Sequence, residues 1–401
     1  MFSLLNSKIS ASLLVIIIFI VACNSSKNEA LEFQEFELKK LEEYQLFKLD
    51  DETGFVNKIW DFNYHRNYYS FFNDLNRKIY IYEMGDTSIV KSIDIPHDRP
   101  NGIPQLKQLH LHSLDSIFVL SAVPGQAQVH LINDEGKKIN SFQLTDSRNG
   151  DPVLSVYQIN DLTFHDPYLF LITLPSVNTI SESKKSLLVY NIETNERELL
   201  IDMPKSYFTG DLSFSQNTGA TYGALNPKNK EFLIGYGYDS ELVLINLEDG
   251  SLRKADGSSK LVNLPKPTFD PKNTGALEGR HYIYGNSWFH QIQFDPKYNL
   301  YLRSATIGMD YDPKGTEPTF QNGTSVNGDK TFFHTFLFDE NLKPVGRVSD
   351  LEFFGTALFT KDGTYKQVGS YKGEETIDPE DYIIFQKFQY LPDSIMQARE
   401  N

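Results

Sequence analysis

A strand that runs into an acidic or Asn/Gly turn and then a second strand recurs along most of the chain. This repeat restricts the fold more than any other feature of the sequence. Its turns fall at Gly85, Gly136, Asn195 and Gly250, at intervals of 51 to 59 residues. Such spacing is typical of a four-stranded propeller blade with its loops. The five copies are residues 78–86, 129–136, 187–195, 242–250 and 335–342.

A second repeated phrase, in which one strand turns tightly into the next, precedes these copies. Asp or Asn before Pro suits its turns, because the side chain caps the turn while Pro presets φ. The copies are residues 60–69, 112–119, 165–170, 226–233, 295–302 and 359–364. Six units are counted in this way, so the sequence predicts an all-β fold, a β-propeller of six blades, with seven as the alternative.

The last unit, ending at residues 381–391, lacks a following strand. We expect residues 44–49 to supply it, since an N-terminal strand that closes the ring removes an open sheet edge. The preceding segment is ambiguous: residues 31–38 alternate partly like a strand, whereas residues 39–43 would suit a helix.

The N-terminus predicts an exported, lipid-anchored protein. Lys8 precedes an apolar run at residues 13–20, which is too short for a comfortable membrane span, and small Ala22 precedes Cys23. An uncleaved membrane anchor is the alternative. The predicted organisation is a signal peptide at 1–22, a lipidated tether and N-terminal segment at 23–43, one propeller at 44–392 and a tail at 393–401.

Charge and cysteine content exclude some classes of function. The formal net charge is −15, and loss of Lys8 with the signal would make it −16. Nucleic acid is therefore not an expected partner, because phosphate binding needs a basic surface. Cys23 is the only cysteine, so once it carries lipid no disulfide or thiolate metal site can form.

The lipobox-like residues 20–23, followed by repeats over almost all of the mature chain, resemble a family of uncharacterised Gram-negative lipoproteins with a propeller-like fold, a domain of unknown function. The resemblance implies acylation of Cys23 and a six-bladed, alternatively seven-bladed, envelope lipoprotein. It supplies no catalytic residue. An acidic residue after the cysteine would resemble an inner-membrane retention signal. Asn24 stands there instead, so we expect the protein in the outer membrane.

The repeat also assigns each loop to one end of the ring. Connections between the second and third strands of a blade, and between blades, lie on one end, which we call the long-loop face; the other end is the turn face. Three long segments fall on the long-loop face: residues 175–185, 265–286 and 306–330. Long irregular loops in a compact domain are usually functional or disordered. We expect the ligand there, with plain insertions as the alternative.

Polar and aromatic residues near this face are the candidate ligand-binding set. Aromatic faces would stack on a sugar or peptide, and Arg280 could pair with a carboxylate. The ordinary alternative is that a chain with 29 Phe and 22 Tyr places aromatic residues everywhere. The candidates are Asn101, Asp211, Tyr236, Tyr238, Asp239, Arg280 and His281.

Metal and cofactor motifs give no positive prediction. Residues 310–315 begin like a calcium loop, but Gln321 stands where an EF-hand needs a bidentate Glu. His110 and His112 share one side of a strand, yet no third ligand can be identified, and hydrogen-bonded core histidines explain them better. We therefore predict neither metal nor cofactor.

Two classes of function remain. The first is a binding lipoprotein that presents its long-loop face to a glycan, a peptide or a protein. The second is a propeller hydrolase or lyase that uses acidic residues at the channel mouth, because carboxylates on different blades can converge in space. The sequence shows no nucleophile elbow, phosphate loop or dinucleotide motif, and we favour binding.

Overall fold

A computed structural model describes residues 31–53, 67–97, 102–123, 126–146, 162–173, 185–207, 221–264, 285–308, 320–321, 324–325, 333–349, 357–368, 378, 381–392 and 394–395. The regular elements of these residues are strands and one short 3-10 turn, Lys205–Tyr207. Within these ranges no helix is long and apolar enough to cross a membrane.

Twenty-six strands follow one another along the described part of the chain. They are β1 (Glu35–Phe36), β2 (Lys39–Lys48), β3 (Tyr68–Asn73), β4 (Lys78–Glu83), β5 (Ile89–Asp94), β6 (Leu106–Ser113), β7 (Ser116–Val123), β8 (Gln126–Ile132), β9 (Lys138–Asp146), β10 (Leu162–His165), β11 (Tyr168–Ile172), β12 (Lys185–Asn191), β13 (Arg197–Asp202), β14 (Thr221–Asn226), β15 (Glu231–Tyr236), β16 (Asp239–Asn246), β17 (Leu252–Asp256), β18 (Trp288–Asp295), β19 (Leu300–Thr306), β20 (Phe320–Gln321), β21 (Thr324–Ser325), β22 (Phe333–Phe338), β23 (Pro344–Val348), β24 (Ala357–Thr360), β25 (Gly363–Val368) and β26 (Tyr382–Gln389).

Six antiparallel meanders form the blades of a β-propeller, which confirms the predicted fold and the count of six. Blade 1 is the three-stranded sheet β3-β4-β5, and blades 2 to 4 are β6-β7-β8-β9, β10-β11-β12-β13 and β14-β15-β16-β17. Blade 5 is β18-β19-β22-β23 with β1 at its edge, and blade 6 is β24-β25-β26-β2. Strands β20 and β21 form a separate small hairpin within the connection that follows β19.

The N-terminal strand β2 closes the ring, as predicted, by pairing antiparallel with β26 of blade 6. It is longer than the expected residues 44–49. Residues 39–43, for which a helix was an alternative, belong to the same strand, with an irregularity between Lys40 and Tyr44. Pairing with the open edge of β26 outweighs the local helix preference of this charged segment.

The segment before β2 also belongs to the propeller. Strand β1 pairs parallel with β23 of blade 5, and the Phe36 ring packs against Gly346, where a Cβ would clash with it. The Phe33 ring lies 4.9 Å from that of Phe336 and 5.4 Å from that of Phe338. The predicted domain boundary at residue 44 was therefore too late, because β1 has its pairing partner far away in the sequence.

The core consists of apolar side chains packed between neighbouring blades. At the junction of blades 6 and 1, fully buried Phe47 of β2 stacks on Tyr69 with ring centroids 4.7 Å apart, and it contacts Phe385 of β26 at 5.8 Å. Aromatic pairs of this kind add about 0.5–1.5 kcal/mol to the burial of their area. The N-terminal strand thus contributes to the core as well as to the hydrogen bonds that close the ring.

The repeated turn residues of the sequence cap the turns of the structure. Asn246 Oδ1 accepts the backbone N–H groups of Glu248 and Asp249. Asn191 Oδ1 accepts those of Glu193 and Thr194 in the same way. Asp295, which precedes Pro296, accepts the N–H groups of Lys297 and Tyr298. Side-chain caps of this type satisfy the backbone donors of a tight turn. The turn chemistry explains why the repeat could be recognised.

Candidate functional site

The long connections between strands lie at one end of the ring, and the other end has only short connections in blades 2 to 5. In blades 2 to 5 the connections on the turn face, between first and second and between third and fourth strands, have at most five residues. The three predicted long segments leave and re-enter the sheets on the opposite face, between β11 and β12, β17 and β18, and β19 and β22. This confirms their predicted side; their own conformation lies almost wholly outside the described residues.

Arg303 organises the long-loop face between blades 4 and 5. It lies on β19, is 1% exposed, and its guanidinium donates to the carbonyl oxygens of Tyr236 (2.9 Å), Asp239 (2.6 Å) and Ser240 (2.9 Å). The same group lies over the Phe289 ring, 3.4 Å from its centroid. A buried cation is costly unless its donors are satisfied. Arg303 therefore fixes the turn between β15 and β16 to the neighbouring blade.

Asp239, one of the predicted site residues, lies on this turn and is partly exposed. Its Oδ2 accepts a hydrogen bond of 2.6 Å from Ser206 Oγ, and its Oδ1 accepts the Glu241 N–H at 2.8 Å. Ser206 belongs to the 3-10 turn that follows β13 of blade 3. The carboxylate therefore joins two blades at the long-loop face, and its remaining lone pairs could accept from a ligand.

Tyr236 and Tyr238 were predicted to line an aromatic mouth, and the structure corrects this. Both are buried, at 0% and 3% exposure, in the apolar cluster between blades 3 and 4. Tyr236 Oη bonds Ser186 Oγ at 3.1 Å, and burial raises its pKa. The alternation of side chains along β15 turns Tyr236 into the core, so these tyrosines support the face without lining it.

Three polar side chains lie at the strand ends of the same corner. Thr221 begins β14, Trp288 begins β18, and Thr306 ends β19 opposite Trp288. Thr221 Oγ1, Trp288 Nε1 and Thr306 Oγ1 are buried and have no hydrogen-bond partner within the described part of the chain. Buried donors without partners are unfavourable, and they commonly mark an ordered water or a ligand position. This corner of blades 4 and 5 is the candidate site.

The titratable group at the centre of this corner is a poor base. His290 is 8% exposed and lies between Trp288, 5.1 Å away by ring centroids, and Phe333, 6.0 Å away. Burial lowers its pKa to about 3. The imidazole is therefore neutral at physiological pH and contributes an aromatic wall rather than a charge.

Several predicted residues lie outside the described ranges. These are Cys23, Asn101, Asp211, Arg280, His281 and the calcium-like residues 310–315. His110 and His112 are described: each ring lies edge-on to Phe164 of blade 3, at 6.4 Å and 4.9 Å. Among the described residues no group of three or more His, Cys, Asp or Glu side chains could hold a metal ion.

Sequence reasoning missed Arg303, Trp288, Thr221 and Thr306. A charge inside the apolar run Leu300–Thr306 was a usable indication, since a central strand seldom tolerates an unpaired cation. The two threonines and Trp288 carried no such indication, because their importance depends on the ends of strands from different blades.

Comparison with known proteins places the chain in a family. A family model described as a domain of unknown function, DUF4221, matches residues 35–346. The chain belongs to the DUF4221 family. No curated protein matches it. The DUF4221 match begins at the first residue of β1, which agrees with the early start of the propeller.

Two solved structures share the fold of this DUF4221 chain. A DUF4221 family member from Bacteroides vulgatus superposes with a TM-score of 0.66 at 15% identity, covering 88% of this chain and 98% of that one. A candidate exported protein from Bacteroides fragilis gives a TM-score of 0.55 at 11% identity, with coverage of 89% and 99%. At these identities the likeness concerns the fold alone.

Proposed function

We propose that this DUF4221 protein is an envelope lipoprotein, anchored in the outer membrane through lipid on Cys23, whose long-loop face binds a glycan, a peptide or a protein. The observation that carries the proposal is the position of the unpartnered donors. Thr221, Trp288 and Thr306 lie together at the long-loop end of blades 4 and 5. Asp239 supplies an acceptor on the same face.

The chemistry of this corner suits a neutral ligand rich in hydroxyl or amide groups. Hydroxyl and indole N–H groups donate to ligand oxygens, the carboxylate of Asp239 accepts from ligand hydroxyls or amides, and the indole offers an apolar face. The fold shared with the candidate exported protein from Bacteroides fragilis supports a location outside the cytoplasm. The acidic net charge of −15 keeps anionic polymers unfavourable as ligands.

A hydrolase at the channel mouth would need carboxyl groups with raised pKa close together. Among the described carboxyls, burial raises the pKa of Asp295, but this residue ends β18 at the turn face and its oxygens are bonded within the protein. The binding reading therefore has the stronger support.

Thermal-shift screening of residues 24–401 against glycans, peptides and divalent metals tests the proposal, because a ligand that binds the folded state raises its apparent stability. We expect one ligand class to raise the unfolding temperature, and D239N to weaken the shift. E193Q, an exposed change on the turn face, is the matched control and should leave the shift unchanged.

Loss of the shift in E193Q but not in D239N would place the ligand on the other face and overturn the proposed site. If no ligand class shifts the unfolding temperature of the wild type, and chemical cross-linking in intact envelopes yields no partner, the binding function is wrong.

Anchoring is tested separately: C23S should move the protein from the membrane fraction to the soluble envelope fraction. Retention of C23S in the membrane would favour an uncleaved anchor.

A further inference from the structure

Four polar side chains, three on strands β1, β22 and β23 and one directly after β23, form a connected cluster at the long-loop end of blade 5. Ser349 Oγ lies 2.7 Å from His334 Nδ1, and the Arg347 guanidinium donates to both, at 2.8 Å to Ser349 Oγ and 2.9 Å to His334 Nδ1. The other terminal nitrogen of Arg347 donates to Glu35 of β1 at 2.6 Å. Residues separated by 312 positions along the chain thus meet in one cluster.

The hydrogen bonds determine the state of the imidazole. A guanidinium can only donate, so His334 Nδ1 must accept and the neutral ring carries its proton on Nε2. The single lone pair of Nδ1 is shared between the Arg347 N–H at 2.9 Å and the Ser349 hydroxyl, which donates at the shorter distance of 2.7 Å. His334 is 9% exposed and its ring is stacked at 28° to Phe336, whereas Ser349 is partly exposed. An oriented base within hydrogen-bond reach of an accessible hydroxyl is the arrangement that activates a serine.

A second pair in blade 2 shows what is special about this cluster. His130 Nδ1 and Ser141 Oγ are 2.8 Å apart on β8 and β9. Burial lowers the pKa of His130 to about 4, so it is a weak base. Among the described residues no Arg or Lys side chain is hydrogen-bonded to Ser141. The chain thus contains a serine–histidine pair with a guanidinium and one without.

We propose that Ser349 is a nucleophile and His334 its general base, and that the pair hydrolyses small carboxylic esters. Ser349 Oγ attacks the ester carbonyl carbon while its proton passes to His334 Nδ1. The alkoxide of the ester leaves with that proton as the alcohol, which forms an acyl-serine. Water then attacks the acyl-serine and gives one proton to His334. The carboxylic acid leaves as His334 returns this proton to Ser349 Oγ. The sum is ester and water to acid and alcohol.

Arg347 and Glu35 adjust the charge around this reaction. The guanidinium beside Ser349 Oγ stabilises the negative charge that develops on this oxygen as it loses its proton. The same positive charge disfavours a proton on the adjacent Nδ1 of His334. Glu35 offsets that second effect by binding the same guanidinium. Glu35 acts through Arg347 and is a positioning residue, which the N-terminal strand β1 brings to the site. The cluster is complete only when β1 is paired with β23.

The test uses the full chain, solubilised in detergent, with a fluorophosphonate probe and 4-nitrophenyl acetate. We expect the probe to modify Ser349 and to leave Ser141 unmodified, as read from peptide masses. S349A should abolish ester hydrolysis, whereas S141A, the matched control, should keep the wild-type rate. H334Q should lower the rate about 10²-fold. E35Q should lower the rate and E35D should restore most of it.

Equal modification of Ser141 and Ser349, or no modification of Ser349 in the folded protein, would overturn the inference. So would unchanged hydrolysis in S349A or in H334Q. Labelling is measured on the wild type, so the test does not depend on whether a variant folds. The inference is independent of the binding proposal: a protein that shows a ligand shift but no labelling retains its proposed binding function and lacks this activity.

Discussion

Tyr390 donates a 2.5 Å hydrogen bond from its hydroxyl to Oδ2 of Asp295, and this contact joins the C-terminal end of blade 6 to the inner strand of blade 5. Asp295 is 0% exposed and also receives the N–H groups of Lys297 and Tyr298 and, at 3.3 Å, the Thr364 hydroxyl. One buried carboxyl thus holds a turn, a neighbouring blade and the end of the ring.

Y390F removes the donor while keeping the ring, and we expect it to lower the free energy of unfolding by about 1–3 kcal/mol, because a buried acceptor oxygen loses a hydrogen bond. Urea denaturation measures the change. Y44F, on the partly exposed strand β2, is the control and should cost less. An unchanged stability of Y390F would mean that the contact contributes nothing.

The stability of the protein should depend on pH through Asp295. Burial raises the pKa of this carboxyl above its ordinary value of 3.8, so its contribution is fully present below 3.8 and is lost as pH rises through the folded pKa. We therefore expect the wild type to lose stability relative to D295N as pH rises from about 3.8. Urea denaturation of both proteins at a series of pH values checks this. A wild type that gains on D295N over this range would contradict it.

R303L should lower the free energy of unfolding by about 3–5 kcal/mol, because it leaves one buried and two partly buried carbonyl oxygens without their donor. Thermal and urea unfolding measure the loss. R253L is the matched control, since the Arg253 side chain is 48% exposed and its ion pair with Glu231 should be worth less. Equal costs in the two variants would remove the special role of Arg303 at the long-loop face.

F47A should lower the free energy of unfolding by about 3–5 kcal/mol, because it opens a cavity between blades 6 and 1 where Phe47 is fully buried. Urea denaturation measures the loss.

A protein beginning at residue 32 should keep the stability of one beginning at 24, whereas a protein beginning at residue 50 should lose cooperative unfolding, since β2 is gone. Circular dichroism on heating distinguishes these cases. Cooperative unfolding without residues 24–49 would show that the ring does not need its N-terminal strand.

Periodicity predicted much of this fold. The spacing of Gly136 and Gly250 and the Asp and Asn residues before proline identified six units, because turn capping is a local interaction between side chain and backbone. The missing strand of the last unit predicted closure by residues 44–49. The alternation of residues 31–38 indicated a strand there, but the partner of β1 could not be predicted, because its pairing with β23 exists only after the ring has closed.

The candidate site was less accessible from the sequence. Position along the repeat placed Asp239 near the correct face, but it could not distinguish a partly exposed carboxylate from the buried ring of Tyr236 three residues earlier. Side-chain direction depends on where the bulge between Gly235 and Tyr236 shifts the register of β15 against β16. Such a shift reverses which residues face the core.

The sequence by itself determined the propeller class, the strand that closes the ring and the side of the ring on which the long connections lie, whereas the structure decided for six blades over seven. The features that the sequence determined depend on local turns and on the alternation of strands, which a linear repeat records. The tertiary structure decided that Arg303 binds the β15–β16 turn and that Glu35 meets Arg347, His334 and Ser349. These contacts join distant parts of the chain, and they form only because ring closure brings the edges of different blades together.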